Sequence, residues 1–146
     1  MIDDGTGEAV CVIDLDTVMP GLPLYDFGDM VRSATNTGAE DDTNLDNVSM
    51  DMAIFEQLAR GYLAATGGWL SDAEVDLLPF SGAVMTLECG IRFLADHLNG
   101  DVYFKIHRPG HNLDRCRNQF KLLSSIEEQM PRMNRVVLEA RDRGTG

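Results

Sequence analysis

Only one stretch of this chain reads as a β-strand, and little stands before it to pair with. The run from Ala9 to Leu15 is β-branched and apolar, with Val10, Val12 and Ile13 at its centre. Just upstream, Asp3-Asp4-Gly5-Thr6-Gly7 is tight-turn chemistry, and beyond it lie only Met1 and Ile2. The run therefore reads as the second arm of a hairpin whose first arm is cut short. A lone hairpin is marginal in water, so it must pack on helices or pair with something else, and the rest of the fold has to be helical.

The remaining pattern agrees. A Pro/Gly loop over 18–24 leads to an expected helix from Asp26 to Thr35, with Asp26 as its N-cap. Residues 36–47 are polar and acidic and read as a mobile surface loop. Between Met50 and Thr66, Ile54, Phe55, Leu58, Tyr62 and Leu63 recur at helical spacing, and Gly67-Gly68 ends the run. Ser71-Asp72-Ala73-Glu74 is a capping box. Pro79 is expected to restart or kink the helix that follows, which reaches Leu98 and stops at Asn99-Gly100. A last helix spans Asn112 to Met130, with Pro131 as a break and a short continuation over 132–143. The expected fold is mainly α, a single partial domain over 1–146. It divides into a hairpin remnant and loop over 1–25 and a helical subdomain over 26–146.

Charge narrows the function classes. The 146 residues carry a net charge of −12, unevenly distributed. Residues 1–60 hold thirteen acids against Arg32 and Arg60, whereas residues 61–146 hold eleven acids against ten bases. An acidic first half repels nucleic acid and anionic membrane and suits cations. Cys11, Cys89 and Cys116 are odd in number and far apart, which favours buried free thiols over disulfides or zinc. The acidic start Met1-Ile2-Asp3-Asp4 is unlike a signal peptide, and no apolar run approaches the ~20 residues of a membrane span. A soluble cytoplasmic protein is the default expectation, with no nucleic-acid or membrane partner.

Asp14 and Asp16 are the candidate metal ligands. They alternate with Ile13 and Leu15, so a strand would place both carboxylates on one face, about 7 Å apart. Paired oxygens at that spacing suit a hard cation such as Mg²⁺; two solvent-facing acids at a strand end are the plain alternative.

Twelve residues after Asp14 comes Pro23-Leu24-Tyr25-Asp26-Phe27-Gly28-Asp29. The pair of blocks resembles the aminoglycoside phosphotransferase/choline kinase family, which has a protein-kinase-like fold. There, a hydrophobic-hydrophobic-Asp metal motif precedes a Pro-Leu-Tyr-Asp block that opens a helix. Ile13-Asp14-Leu15-Asp16-Thr17-Val18-Met19-Pro20-Gly21 looks closest to the N-acetylhexosamine 1-kinase-like branch. So do Glu88-Cys89-Gly90-Ile91-Arg92-Phe93-Leu94, Gly100-Asp101-Val102-Tyr103-Phe104 and the run from His111 to Gln119.

The resemblance implies a C-terminal-lobe portion of a small-molecule kinase that uses ATP and Mg²⁺ on a sugar. Asp14 takes the place of the metal aspartate and Asp16 that of an auxiliary acid. Asp26 takes the place of a residue that braces the catalytic loop, so Asp26-Phe27-Gly28 is scaffold despite spelling the kinase metal motif. The family's His-x-Asp-x-x-x-x-Asn loop, Gly-rich loop and phosphate-binding lysine have no counterpart in the thirteen residues before Asp14. The base is therefore expected to be absent, and the chain inactive alone.

Lys105, His107, Arg108, His111, Arg115, Arg117 and Lys121 gather within seventeen residues against one acid, Asp114. Arg108, His111 and Arg115, with Arg92 on the preceding helix, are the candidate substrate contacts; the plainer readings are an Arg92–Asp96 surface salt bridge and a basic helix that neutralises the acidic first half within the fold. Two other functions compete with the kinase: a non-catalytic helical interaction module, self-associating through exposed surfaces, and a metal-binding helical protein unrelated to kinases. His97 reads as a helix-end partner, Trp69 as a packing anchor, and the methionines as core or interface filler.

Overall fold

Four helices carry the chain. In the computed structural model, which describes residues 1–66 and 68–144, they are α1 (Pro23–Ala34), α2 (Met52–Thr66), α3 (Asp72–Leu98) and α4 (His111–Gly144), with a 3₁₀ turn at Leu45–Asn47. The mainly α expectation holds. α3 lies between α1 and α4, and α2 closes the bundle against α4.

Local chemistry explains the helix ends. α1 begins at Pro23 rather than Asp26, because proline's fixed φ and missing N–H suit the first helical position. Asp26 is thus a first-turn acid and not the N-cap, which is Leu22. α2 begins two residues later than Met50, where the Asp51 carboxylate accepts from the N–H groups of Ala53 and Ile54 at 2.8 and 3.1 Å. The capping box forms as expected: Ser71 N donates to Glu74 Oε2 at 2.8 Å, and Glu74 N donates to Ser71 Oγ at 3.3 Å. Gly100, at φ +93°, follows the α3 terminus in the left-handed conformation that glycine tolerates. The expected stop at Gly67 lies outside the described residues.

Neither internal proline ends its helix. α3 runs through Pro79 and α4 through Pro131. Proline costs about 3 kcal/mol in a helix interior, and packing offsets it. Val75, Leu78 and Ala83 around Pro79, and Ile126, Met133 and Val137 around Pro131, all belong to one core cluster. A break would pull one side of each group out of it. Phe27 sits at the centre of that core, edge-on to Phe55 at 6.2 Å and tilted against Tyr62 at 5.0 Å. Ile54, expected on the same face, is exposed.

The loop over 36–47 is pinned rather than loose. Asn36 bridges to Met50, Asn36 Nδ2 donates to Asn118 Oδ1 at 3.0 Å, and Asn118 Nδ2 donates to Ala39 O at 2.8 Å. The hairpin remnant survives as the Ile2–Ala9 antiparallel bridge, flanked by Asp3 N donating to Glu8 O at 2.9 Å and Val10 N donating to Met1 O at 3.1 Å. Beyond it, 10–15 form no strand, and Val10, Val12, Ile13 and Leu15 are all more than half exposed. A strand needs a ladder partner, and one bridge does not extend one.

Candidate functional site

The Asp14/Asp16 loop is exposed backbone between the N-terminal bridge and α1. Asp14 sits at φ 62°, in the left-handed region that aspartate visits more readily than most residues. Asp16 occupies a turn in which Val18 N donates to Leu15 O at 3.1 Å. The strand that was to align the two carboxylates is absent, so the shared-face spacing does not follow. Both acids are exposed, and they offer the hard oxygen donors Mg²⁺ takes alongside phosphate and water. Among the described residues, no group of three or more His, Cys, Asp or Glu is gathered for a metal ion.

Downstream, the loop becomes one wall of a cavity of about 690 Å³, lined by Thr17, Pro20, Tyr25, Asp26, Tyr62 and Trp69 among others. Trp69 is 67% exposed on its rim, so it is not the buried anchor expected. Asp26 is exposed and makes no capping hydrogen bond. Its neighbours behave as scaffold. Phe27 is fully buried, and Gly28 faces α3 so closely that a Cβ would meet Ser81 O at 2.5 Å. Tyr62 links the wall to α1 by donating to Pro23 O at 3.2 Å, and burial pushes its phenol up, with Asp26 adding to the effect.

The basic cluster folds onto the acidic loop. His111 is 2% exposed; its Nδ1 accepts from His107 N at 3.2 Å, so Nε2 carries the proton toward Asp41 Oδ2 at 3.0 Å. Arg108 pairs with Asp114 and donates to Asp41 O at 3.3 Å. Arg115 reaches Asn112 Oδ1 at 3.2 Å and Lys105 O at 3.3 Å, lies 3.6 Å from Glu40, and stacks over Phe93. Arg92 stands apart, half exposed, beside Glu88 at 3.6 Å and over the Phe104 ring at 5.4 Å. The structure brings Arg108, His111 and Arg115 together around Glu40 and Asp41. It does not bring them to Asp14 or Asp16 through any hydrogen bond or ion pair among the described residues.

Asp96, one turn after Arg92, reads from its spacing as a surface ion-pair partner of that arginine, but Arg92 pairs with Glu88 and Asp96 turns inward. Its carboxylate, 5% exposed, accepts from the N–H groups of Val102 at 3.0 Å, Tyr103 at 2.8 Å and Phe104 at 3.0 Å, and from Asn112 Nδ2 at 2.8 Å. Burial works against its charge, but the N–H groups of Phe104, Tyr103 and Val102 and the Asn112 amide outweigh that and hold it below the usual carboxylate range. An acid one turn before an Asn-Gly stop was the available signal. Asp101, at φ 57°, accepts from the same Asn112 amide at 2.9 Å and lies 3.5 Å from His97 Nδ1.

The cysteines divide. Cys116 is buried and Cys89 half-buried, and burial pushes both thiols up, whereas Cys11 is exposed against expectation. Its strand context vanished with the strand. No protein-family model matches the chain.

Proposed function

We propose that the chain is the C-terminal-lobe portion of an ATP-dependent small-molecule kinase of the aminoglycoside phosphotransferase/choline kinase type, acting on a sugar of the N-acetylhexosamine class. One arrangement supports this reading most. Two exposed carboxylates stand on a loop that feeds a proline-started helix, and the first turn of that helix carries Asp26 beside an open cavity. In this reading Asp14, assisted by Asp16, holds Mg²⁺, which when bound offsets phosphate charge. Asp26 braces the neighbouring catalytic loop from a helix that Phe27 and Gly28 anchor. Arg92 and Arg108, with the more exposed guanidiniums, contact substrate, and His111 and Arg115 hold the loop that frames them.

No His-x-Asp-x-x-x-x-Asn occurs in the 146 residues, so they supply no base and negligible turnover is expected of them alone. Two experiments test the reading. The reading frame upstream of Met1 should continue into that motif; an in-frame stop there would sink the proposal. Electron paramagnetic titration with Mn²⁺ and ATP should show binding that Asp14→Asn weakens about tenfold or more, and equal binding by the variant would remove Asp14 from the site.

A second reading, a non-catalytic helical interaction module, is favoured by the outer face of α3, which carries large apolar side chains in solvent.

A further inference from the structure

α3 packs on α4 with one face and on α1 with another. Its third face is bare. Leu77, Phe80, Val84, Leu87 and Ile91 are 44, 56, 39, 41 and 51% exposed, and they follow one another at spacings of three, four, three and four. That is the repeat of a coiled-coil seam, in which one helix expects another. Leu98, seven residues beyond Ile91 and 75% exposed, continues it. Between Leu77 and Leu87 every exposed position of the helix is apolar.

The face continues onto α1. Leu22 and Tyr25, 53 and 55% exposed, line a groove with Leu77, Phe80 and Val84. Large side chains exposed to this degree present on the order of 700 Å² together, above the ~300–600 Å² of a typical monomer's largest patch and close to the ~800 Å² each partner contributes to a standard interface.

We propose that this face binds a second copy of the chain, with the two α3 helices antiparallel about a two-fold axis near Val84. The charges at the ends of the stripe select both the partner and the direction. Asp76 precedes Leu77, and Arg92 follows Ile91. Antiparallel pairing centred on Val84 sets Asp76 of each copy opposite Arg92 of the other, and Leu77 opposite Ile91. Parallel pairing would set Asp76 on Asp76 and Arg92 on Arg92. Within one copy Arg92 pairs with Glu88 and Asp76 with Arg141, each at 3.6 Å, and Arg92 also lies over the Tyr103 and Phe104 rings; ion pairs this exposed exchange at little cost. A closed two-fold contact buries the apolar stripe on both copies at once. A membrane fits less well. Contrary to the expectation from the sequence, α3 is long and apolar enough to cross one by composition, but it is packed on two sides, and Glu88 and Arg92 lie on the open face. The inference stands on the α3 surface alone and is independent of the phosphotransferase reading.

Sedimentation equilibrium of the whole chain should give about twice its 16.1 kDa. Phe80→Asp should weaken association about tenfold or more, and its circular dichroism should stay unchanged because more than half of the side chain is already exposed. Asp76→Arg and Arg92→Asp should each weaken it, and the double exchange should restore it. A monomer at every soluble concentration overturns the proposal. So does a dimer indifferent to Phe80→Asp, or binding of the monomer to lipid vesicles in place of itself. Failure of the double exchange to restore association overturns the antiparallel arrangement.

Discussion

Asn112 donates its side-chain amide to Asp96 at 2.8 Å, so the last turns of α3 and the first turn of α4 share one buried carboxylate. With three backbone N–H groups on the same oxygens, Asp96 sets the path of the connector between the two longest helices. Asp96→Asn keeps the shape but replaces one acceptor oxygen with a donor facing N–H groups. Thermal unfolding at neutral pH should show a fall of several degrees in Tm. The native carboxyl is held below its ordinary pKa, so its contribution is present above about pH 4 and is lost as pH falls through the lower native value. Asp96→Asn should therefore flatten the acid limb of the stability curve. An unchanged acid limb would show that other carboxylates govern it.

Gly28 and Gly61 are both helical glycines with opposite surroundings. A Cβ on Gly28 would lie 2.5 Å from Ser81 O and 2.6 Å from Met85 Cγ, whereas a Cβ on Gly61 meets nothing within 4 Å. Gly28→Ala should cost about 1–3 kcal/mol by forcing α1 off α3. Gly61→Ala should gain about 0.5–1 kcal/mol from helix propensity. Urea unfolding of the pair measures both signs.

His111 joins α4 to the acidic loop through Asp41. His111→Ala removes that bond and the acceptor for His107 N. Hydrogen exchange over 36–47 should accelerate, while amides in the middle of α3 keep their protection. Uniform acceleration would mean that His111 supports the whole bundle rather than the loop.

Thiol labelling should resolve the cysteines. Cys11 should react first, Cys89 more slowly, and Cys116 only on unfolding, because exposure falls in that order. Fast labelling of Cys116 in the native protein would contradict the packing of α4.

Much of the helical plan was legible because it is local. Ser71 and Glu74 satisfy each other within one turn, and Asn99-Gly100 needs only its own backbone freedom to end α3. The candidate site was less legible. Asp14 and Asp16 were read as strand neighbours, but a strand exists only where a second one pairs with it. Arg108, His111 and Arg115 are candidate ligand contacts in the sequence, with neutralisation of the acidic first half as the plainer alternative; the structure has the latter, since they meet Glu40 and Asp41 some seventy residues away in sequence. The same encounter turned a loop expected to be mobile into one held by Asn118.

By itself the sequence determined the mainly α class and the capping box and glycine stop of α3. Periodicity, caps and burial preference act over one or two turns, and those a sequence displays directly. Tertiary structure alone decided that α3 and α4 run unbroken through Pro79 and Pro131, where core packing on both sides outweighs the local cost. It also decided that Asp96 gathers a connector and that the Leu77–Ile91 stripe stays uncovered. Each of these depends on which distant surfaces meet, a competition among packed alternatives that no local pattern encodes.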